Sequence, residues 1–259
     1  MINLKTKDEI IKIRNASKVA TKTLEYISSF LKPEITTEEI NRLCHNFIIK
    51  NKGIPAPLNY HGFPKSICTS VNDVVCHGIP SEKVVLKDGD IINIDVTVKL
   101  DDYHGDTSRT FIIGEASPDI INFVNRVEKS MWRGIKEIKP GKKLYNIGRS
   151  IENYIKKFNY SVVRDYVGHG IGKGFHESPQ VLHYCDTNEN NIILKPGMVF
   201  TIEPMINMGN DFKVIVSPDD KWTVRTVDGS FSSQFEHTVL VTDHGFEVLS
   251  FSDKFLKPN

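Results

Sequence analysis

The chain lacks a surplus of charge of either sign, and it lacks any long apolar run. Its 259 residues carry 33 lysines and arginines against 32 aspartates and glutamates, so the formal net charge is +1. A nearly neutral chain argues against nucleic-acid binding as its main function, because such surfaces concentrate positive charge. No stretch approaches the roughly 20 apolar residues of a membrane-spanning helix, so we expect no membrane association.

Cysteine is scarce, and the first residues lack the features of a secretory signal. The four cysteines, Cys44, Cys68, Cys76 and Cys185, form no C-x-x-C pair, which disfavours a structural zinc site. The start, M-I-N-L-K-T-K-D-E-I, has neither an apolar core nor a small-residue cleavage site. We therefore expect a cytoplasmic protein with reduced thiols.

The most informative feature that is present is a repeat. The segments L-K-D-G-D-I-I-N-I-D and L-K-P-G-M-V-F-T-I-E end on Asp95 and Glu203, which are 108 residues apart. The same spacing separates His61 in N-Y-H-G from His169 in V-G-H-G. A period this long excludes a solenoid and indicates a duplicated half-domain. Corresponding carboxylates would converge where the two halves meet, and converging carboxylates require a cation or a shared proton.

Helix signals divide the chain into two similar halves. Helices are predicted from capping boxes at Thr6 and Thr36, ending near Pro33 and Lys50, and then over residues 119–137 and 144–158. Each helix pair precedes a β region, at residues 59–113 and 161–249. The order predicts an α+β fold with one antiparallel sheet and helices on its outer face. We expect one catalytic domain, residues 1–259, with pseudo-symmetric α-α-β halves of about 1–115 and 116–259.

Two aspartates stand in a predicted hairpin. Asp95 lies within the apolar strand I-I-N-I-D-V-T-V, and Asp106 lies on the strand that returns after Asp101-Asp102. If the hairpin centres near residues 100–101, Asp95 and Asp106 are directly opposed, with Cα atoms roughly 4.5–5.5 Å apart. Two like charges at that distance need a counter-ion. The alternative is one hydrogen-bonded turn aspartate and one buried structural aspartate, and the hairpin alone favours neither reading.

Three further groups favour a metal site. Glu203 ends an apolar run before Pro204, Glu236 lies amid the apolar strand around F-E-H-T-V, and His169 is flanked by glycines. A glycine-flanked histidine is more often a loop residue than a ligand, but the repeat places this one beside the sheet. Four carboxylates and one imidazole suit Mn, Fe(II), Co or Zn better than Ca or Mg. Their charge suits two divalent ions, roughly 3.5–4 Å apart.

The ordered set of motifs resembles one family over essentially the whole chain. Its parts are H-G at His77, the two aspartates separated by ten residues, G-H-G-I-G followed by H-E at His176, then E-P and E-H-T. This set resembles the type I methionine aminopeptidases in their short bacterial or organellar form. The resemblance implies the pita-bread fold. It also implies metal-dependent removal of the initiator methionine from nascent proteins whose second residue is small.

The resemblance also implies residue roles. Two divalent ions would be bound by Asp95, Asp106, His169, Glu203 and Glu236, with Asp106 and Glu236 bridging them. Glu203 would also carry a proton, and His77 and His176 would contact the substrate and assist catalysis. The methionine pocket would be formed by Tyr60, Phe63, Cys68, Phe175 and Trp222, although each of these alone is as well explained by packing. Expected partners are peptides and nascent chains with N-terminal methionine, with contact to the ribosome, and we expect a monomer.

Two other functions compete with this one. The first is an X-Pro dipeptidase-like hydrolase on the same fold, but such enzymes carry a large N-terminal domain for which this chain has no room. The second is a non-catalytic peptide-binding relative. Relatives of that kind usually lose metal ligands, whereas all five are present here.

Overall fold

The computed structural model describes residues 2–186 and 192–255, so the ends of the predicted 1–259 domain lie outside the described residues. This part of the chain forms four helices: α1 Lys7–Ile27, α2 Thr37–Lys50, α3 Pro118–Ile135 and α4 Tyr145–Ile155. Its strands are β1 Ile54–Pro55, β2 Cys68–Val71, β3 Val74–Cys76, β4 Ile91–Leu100, β5 Tyr103–Ile112, β6 Ser161–Val162, β7 Gly168–Gly170, β8 Glu177–Val181, β9 Val199–Ile202, β10 Met205–Asn207, β11 Val214–Val216, β12 Val224–Thr226, β13 Ser232–Gln234, β14 His237–Val241 and β15 Phe246–Val248. None of the described helices combines the length and apolar character needed to cross a bilayer.

The first two helices begin where their capping signals predict. At α1, the Thr6 hydroxyl accepts the Glu9 N–H and the Glu9 carboxylate accepts the Thr6 N–H, which completes the capping box. At α2, Thr36 accepts the Glu39 N–H, but the Glu39 carboxylate contacts Arg42 instead. The second box is therefore only half formed, and the hydroxyl cap alone is sufficient to start this helix.

Helix ends differ from prediction by a few residues. Helix α1 ends at Ile27 rather than near Pro33, because the chain must turn to let the Glu34 N–H donate to the Leu86 carbonyl at 2.8 Å. Helix α3 ends at Ile135, and α4 continues as a 3-10 turn, Lys156–Phe158. Both ends lie within the uncertainty of boundaries assigned from local signals.

The two halves repeat the same local geometry. Gly89 and Gly197, which precede β4 and β9, have φ angles of +85° and +86°, a conformation that glycine adopts without strain. The Gly141 N–H donates to the Leu194 carbonyl at 2.9 Å, which repeats the Glu34–Leu86 bond of the first half. The repeated phrase therefore marks the turn before the central strand of each half.

The histidine part of the repeat is a coincidence of spacing. His169 lies in strand β7, whereas His61 lies in the 3-10 turn Tyr60–Gly62. In the first half, the strand that occupies the position of β7 beside the central strand is β2. His61 and His169 are therefore not structural equivalents.

Strand pairing is antiparallel throughout the described residues, as predicted, but it is divided among four sheets rather than one. The two central sheets contain β1, β4, β2 and β5 in the first half and β15, β14, β9, β7 and β8 in the second. Strands β5 and β14 meet between them. There the Glu236 N–H donates to Ser108 O at 3.0 Å, and the Thr107 and Thr238 hydroxyls donate to backbone carbonyls of the facing segment. Side-chain hydroxyls replace part of a regular ladder, so the halves are joined without one continuous sheet.

Alternation along β4 separates the core from the inner face. Ile92, Ile94, Val96 and Val98 are fully buried in a cluster with residues of α1 and α2. Asp95 and Thr97, on the opposite face, line a cavity. Helices α3 and α4 pack in the same way against Phe200 of β9 in the second half. The helices therefore cover the outer faces, and the inner faces of both halves surround the cavity.

Candidate metal and peptide site

One cavity of about 310 Å³ lies on the inner face of the two central sheets. Every residue that the sequence predicts for the site lines it: Tyr60, Phe63, Cys68, His77, Asp95, Asp106, His169, Phe175, His176, Glu203, Trp222 and Glu236. Seven further residues line this cavity and were not predicted for the site: Pro57, His61, Thr97, Asp165, Tyr166, Val167 and Met205. The structure thus brings the predicted set together, while the role of each residue stays a prediction.

The predicted register of the aspartate hairpin is wrong by two residues. Asp95 pairs with Ser108, and Asp106 pairs with Thr97. The turn is centred on Asp101–Asp102, whose φ angles of 49° and 67° place both residues in the left-handed region. Side chains alternate with a period of two, so this shift keeps both carboxylates on the same face. They are diagonal neighbours rather than directly opposed.

The donor atoms of the predicted ligands converge. Ligand atoms of Asp106, His169 and Glu236 lie within 4.8 Å of one another. His169 Nε2 is 3.8 Å from Asp106 Oδ2 and 3.6 Å from Glu203 Oε1. Asp95 Oδ1 is buried and has no hydrogen-bond partner among the described residues. A buried, unpaired carboxylate oxygen beside three other acids is the environment that a cation completes, so these residues fit a divalent metal.

The tautomer of His169 suits a ligand. Its Nδ1 lies 3.0 Å from the Gly170 carbonyl, which can only accept, so Nδ1 carries the proton. Nε2 then directs its lone pair toward the carboxylates, as in other metal-binding histidines. The flanking glycines are required by space: a Cβ at Gly168 would lie 2.4 Å from Thr201 O, and one at Gly170 would lie 2.2 Å from Ser178 O. The G-H-G motif therefore lets β7 fit between its neighbours.

Burial shifts every titrating group of the cluster toward its neutral form. It raises the pKa of Asp95 to about 7 and that of Glu203 to about 8. Burial and then the neighbouring carboxylates raise the pKa values of Asp106 and Glu236 well above their ordinary range. Burial lowers the pKa of His169 to about 3. Without a cation the cluster retains protons at neutral pH, and bound cations would replace them.

The Glu203 carboxylate is held at both oxygens. The Thr201 hydroxyl donates to Oε1 at 2.7 Å and itself accepts the His169 N–H at 3.0 Å. The Gln234 amide donates to Oε2 at 3.2 Å, and His183 Nε2 accepts the Glu203 backbone N–H at 3.0 Å. None of these supports was predicted from the sequence. Only Thr201 could have been predicted, because it precedes Glu203 by two residues and therefore lies on the same strand face.

His77 stands in a strained backbone conformation at the cavity wall. Its φ of 56° is left-handed, and such outliers cluster at functional sites. The ring packs edge-on against Tyr166 at 5.3 Å and Trp222 at 6.1 Å between centroids. Burial lowers the pKa of His77 to about 4, so the ring is neutral at neutral pH. The next residue must be Gly78, because a Cβ there would lie 2.1 Å from Thr69 O.

His176 is an exposed residue that lines the same cavity. Its Nδ1 is 2.8 Å from the Tyr60 hydroxyl, and its ring stacks on Phe175 with centroids 4.3 Å apart. Its ring centroid is also 4.3 Å from that of His169. His176 is thus held by two aromatic neighbours beside the ligand cluster.

The remaining wall is aromatic. Phe63 meets Trp222 edge-on at 5.2 Å, and Tyr60 contacts Phe175 at 4.8 Å between centroids. Cys68, a free thiol, pairs with Asp95 across β2 and β4, which places sulfur beside the acids. The cavity therefore has an aromatic, apolar end and an acidic end with the Cys68 thiol beside it, the arrangement typical of a pocket that orients one substrate side chain.

Comparison with known proteins agrees with this geometry. Residues 11–243 match the model of metallopeptidase family M24. The chain belongs to metallopeptidase family M24, and with its buried donor cluster it is a protein that uses a divalent metal. Within that family its relatives are the type I methionine aminopeptidases, as the motifs predict.

The similarity to these relatives extends over nearly the full length. The chain is 52% identical to the methionine aminopeptidase of Rickettsia prowazekii over 255 residues, which cover 98% of this chain and 97% of that protein. It is 48% identical to that of Escherichia coli K12 over 250 residues, covering 96% and 94%. The crystal structure of the Rickettsia prowazekii protein superposes with a TM-score of 0.94 over 97% of this chain and 100% of that chain.

The X-Pro peptidases share the fold less closely. The Xaa-Pro dipeptidase of Bacillus anthracis is 25% identical, with a TM-score of 0.76, and the match covers 96% of this chain but 62% of that one. Both comparisons support the predicted pita-bread fold, and identity and TM-score are both higher for the methionine aminopeptidase than for the Xaa-Pro dipeptidase.

Proposed function

We propose that the protein removes the N-terminal methionine from peptides and nascent chains whose second residue is small. The observation that carries this proposal is the cavity itself. Donors of Asp106, His169 and Glu236 converge at one end, and an aromatic pocket containing Phe63 and Trp222 forms the other. A methionine side chain in the pocket would place the first peptide bond at the acidic end.

Five residues would hold two divalent ions: Asp95, Asp106, His169, Glu203 and Glu236. Four carboxylates balance the charge of two dications, and the mixed oxygen and nitrogen donors suit Mn, Fe(II), Co or Zn. When bound, the ions supply a nucleophile at neutral pH and polarise the scissile carbonyl.

Glu203 is the residue that we assign to proton transfer. It would take a proton from the attacking water and deliver it to the leaving amine. The donors Thr201 and Gln234 hold both of its oxygens in place, so the carboxylate needs little reorganisation during transfer.

The two histidines would orient the peptide. If the Tyr60 hydroxyl donates to Nδ1 of His176, the proton of that ring lies on Nε2, where it can donate to the carbonyl oxygen as negative charge develops. His77 is neutral, and it would hydrogen-bond to the scissile nitrogen. Both contributions depend on position rather than on charge.

The pocket would select methionine by length and softness. Tyr60, Phe63, Cys68, Phe175 and Trp222 present apolar and sulfur surface without a charged partner. An unbranched thioether is accommodated there, whereas a charged first residue would lose its hydration without compensation. The restriction on the second residue follows from the resemblance to the family.

The wider setting of this function follows from its substrate. Initiator methionine is removed where nascent chains emerge, so we propose that the protein acts in the cytoplasm and contacts the ribosome. We propose also that it acts as a monomer.

A peptide panel tests the proposal. We expect turnover of Met-Ala-Ser under anaerobic Fe(II) and under Mn(II), loss of turnover with chelator, and no turnover of Ala-Pro peptides. Elemental analysis before and after chelation provides the matching metal content. Cleavage of Ala-Pro in place of Met-Ala-Ser would favour the X-Pro hydrolase, and metal-free protein without turnover would favour the non-catalytic relative.

A further inference from the structure

A buried ion pair lies outside the cavity, between the N-terminal segment and the loop that carries His176. Lys5, just before α1, has a side chain that is only 2% exposed, and its Nζ is 2.5 Å from Glu177 Oε2. The backbone of Lys5 is also fixed, because its N–H donates to Gly197 O at 2.8 Å. A fully buried ammonium group is rare in proteins unless it is paired.

Glu177 links this pair to the loop of residues 172–177. Its other oxygen accepts the Gly174 N–H at 2.8 Å, and the Gly172 N–H donates to Gly174 O at 3.1 Å. Gly172 O in turn accepts the His104 N–H at 2.8 Å. A Cβ at Gly172 would lie 2.5 Å from Lys5 Nζ, so glycine is needed there to admit the ammonium group. The loop is thus folded around the carboxylate that Lys5 neutralises.

Phe175 and His176 lie within this loop. Their rings stack with an interplanar angle of 12°, and Phe175 also stacks on His104 at 5.6 Å with the same angle. Regular strand pairing begins only at Glu177, the first residue of β8. The Lys5–Glu177 pair therefore closes the loop at the residue next to His176.

We propose that Lys5 is a positioning residue for His176, acting from the N-terminal segment through Glu177. Without the Lys5 ammonium group, the Glu177 carboxylate would be largely buried without its partner, and it would regain hydration by moving toward solvent. That movement releases the Gly174 N–H and shifts His176 relative to the acidic cluster. The inference rests on the proposed function, because its kinetic test measures cleavage of a methionyl peptide.

Lys5→Met is the primary variant, since it removes the charge and keeps most of the side-chain volume. Supporting residues around a metal site typically change activity by roughly 10- to 100-fold when they are removed. We expect kcat for Met-Ala-Ser to fall within that range, with metal content retained and KM changed less. The matched control is Arg14→Met, which breaks the paired contacts of Arg14 with Glu247 at 2.8 and 2.9 Å, away from the loop. The control should have a kcat close to that of the wild-type protein.

Two double variants distinguish a positioning role of Lys5 from a general loss of structure. In a His176→Ala background, Lys5→Met should cause no further loss of kcat, because the residue that Lys5 positions is already absent. Lys5→Met with Glu177→Gln should be more active than Lys5→Met alone, because no unpaired charge remains buried and the glutamine oxygen can still accept the Gly174 N–H. Independent, multiplicative losses in the first combination would overturn the proposal.

Hydrogen exchange supplies a readout that does not depend on activity. Amides of residues 170–178 should exchange faster in Lys5→Met than in the wild-type protein, and they should be unchanged in Arg14→Met. If the wild-type protein fails to cleave the peptide, the proposed function is wrong, while the exchange experiment still tests whether the Lys5–Glu177 pair holds the loop in place. If Lys5→Met has the exchange rates and the kcat of the wild-type protein, the positioning role of Lys5 is wrong, and the proposed function is unaffected. If Lys5→Met does not fold, Glu177→Gln is measured against the same criteria.

Discussion

Removing the metal should make the stability of the folded protein fall as pH rises above neutrality. Burial raises the pKa of Asp95 to about 7 and that of Glu203 to about 8, whereas unfolded carboxylates titrate near 4. Between those values the folded, metal-free protein holds protons that the unfolded chain has released. The stability linked to these protons is fully present below about pH 4, declines as pH rises, and is lost once pH has passed the folded pKa values of about 7 and 8.

Buried histidines have the opposite effect below neutral pH, where they lower the stability of the folded protein as pH falls. Burial lowers the pKa of His77 to about 4 and those of His169, His183 and His237 to about 3. Unfolded histidines titrate near 6.5, so their contribution is present above that pH and is lost as pH falls below it. The two trends place the greatest stability of the metal-free protein near pH 6.5.

The size of this change in the free energy of unfolding follows from the linkage between proton binding and folding. Each proton that the folded protein holds in excess lowers the free energy of unfolding by about 1.4 kcal/mol for every unit of rising pH. With one to two such protons in the cluster, we expect a loss of roughly 1–3 kcal/mol between about pH 7 and pH 8. That loss is measurable against a total stability of roughly 5–15 kcal/mol. Metal-saturated protein should not show it, because cations replace the protons.

Urea unfolding followed by tryptophan fluorescence measures this difference, with chelator or with Mn(II), at about pH 6.5, 7 and 8. Burial raises the pKa values of the Cys44, Cys68 and Cys76 thiols, so these three groups stay protonated in the folded state up to this limit. Glu203→Gln is the matched control, since it removes one titrating group, and its metal-free form should show a smaller slope. Equal stability of metal-free wild-type protein at pH 7 and pH 8 would refute the argument.

Three further predictions concern the chemistry. Asp106→Asn should abolish turnover and lower metal stoichiometry. The fold should survive, because one of several crowded like charges is removed. Elemental analysis and circular dichroism check these outcomes, and wild-type turnover would contradict them. His77→Ala and His176→Ala should each lower kcat by roughly 10²–10³-fold with metal retained, and loss of metal from either variant would make that histidine a ligand. For Met-Ala-Ser, Met-Leu-Ser and Met-Lys-Ser, kcat/KM should be high only for the first, and comparable values across the three would exclude selection at the second residue.

The sequence by itself determined the features that depend on residues close together in the chain, namely the helix starts and the faces of the strands. Hydroxyl caps at Thr6 and Thr36 mark helix starts, because a cap bonds to backbone donors three residues away. Alternation along β4 separates Asp95 from the buried isoleucines on the other face, and the repeat pairs Asp95 with Glu203. The cluster of Asp95, Asp106, His169, Glu203 and Glu236 could therefore be predicted from local patterns before any fold was known. The two substrate histidines and the methionine pocket were predicted only from the resemblance to the family.

Tertiary structure alone decided what depends on register and on distant partners. The β4–β5 register could not be read from the sequence, because a shift of two residues keeps every side chain on its face and both carboxylates in the cavity. Gln234 reaches Glu203 from another strand, and Lys5 reaches Glu177 across 172 residues of chain. Polar contacts of this kind leave no periodic signal, because only the folding of the two halves onto each other brings the partners within hydrogen-bonding distance.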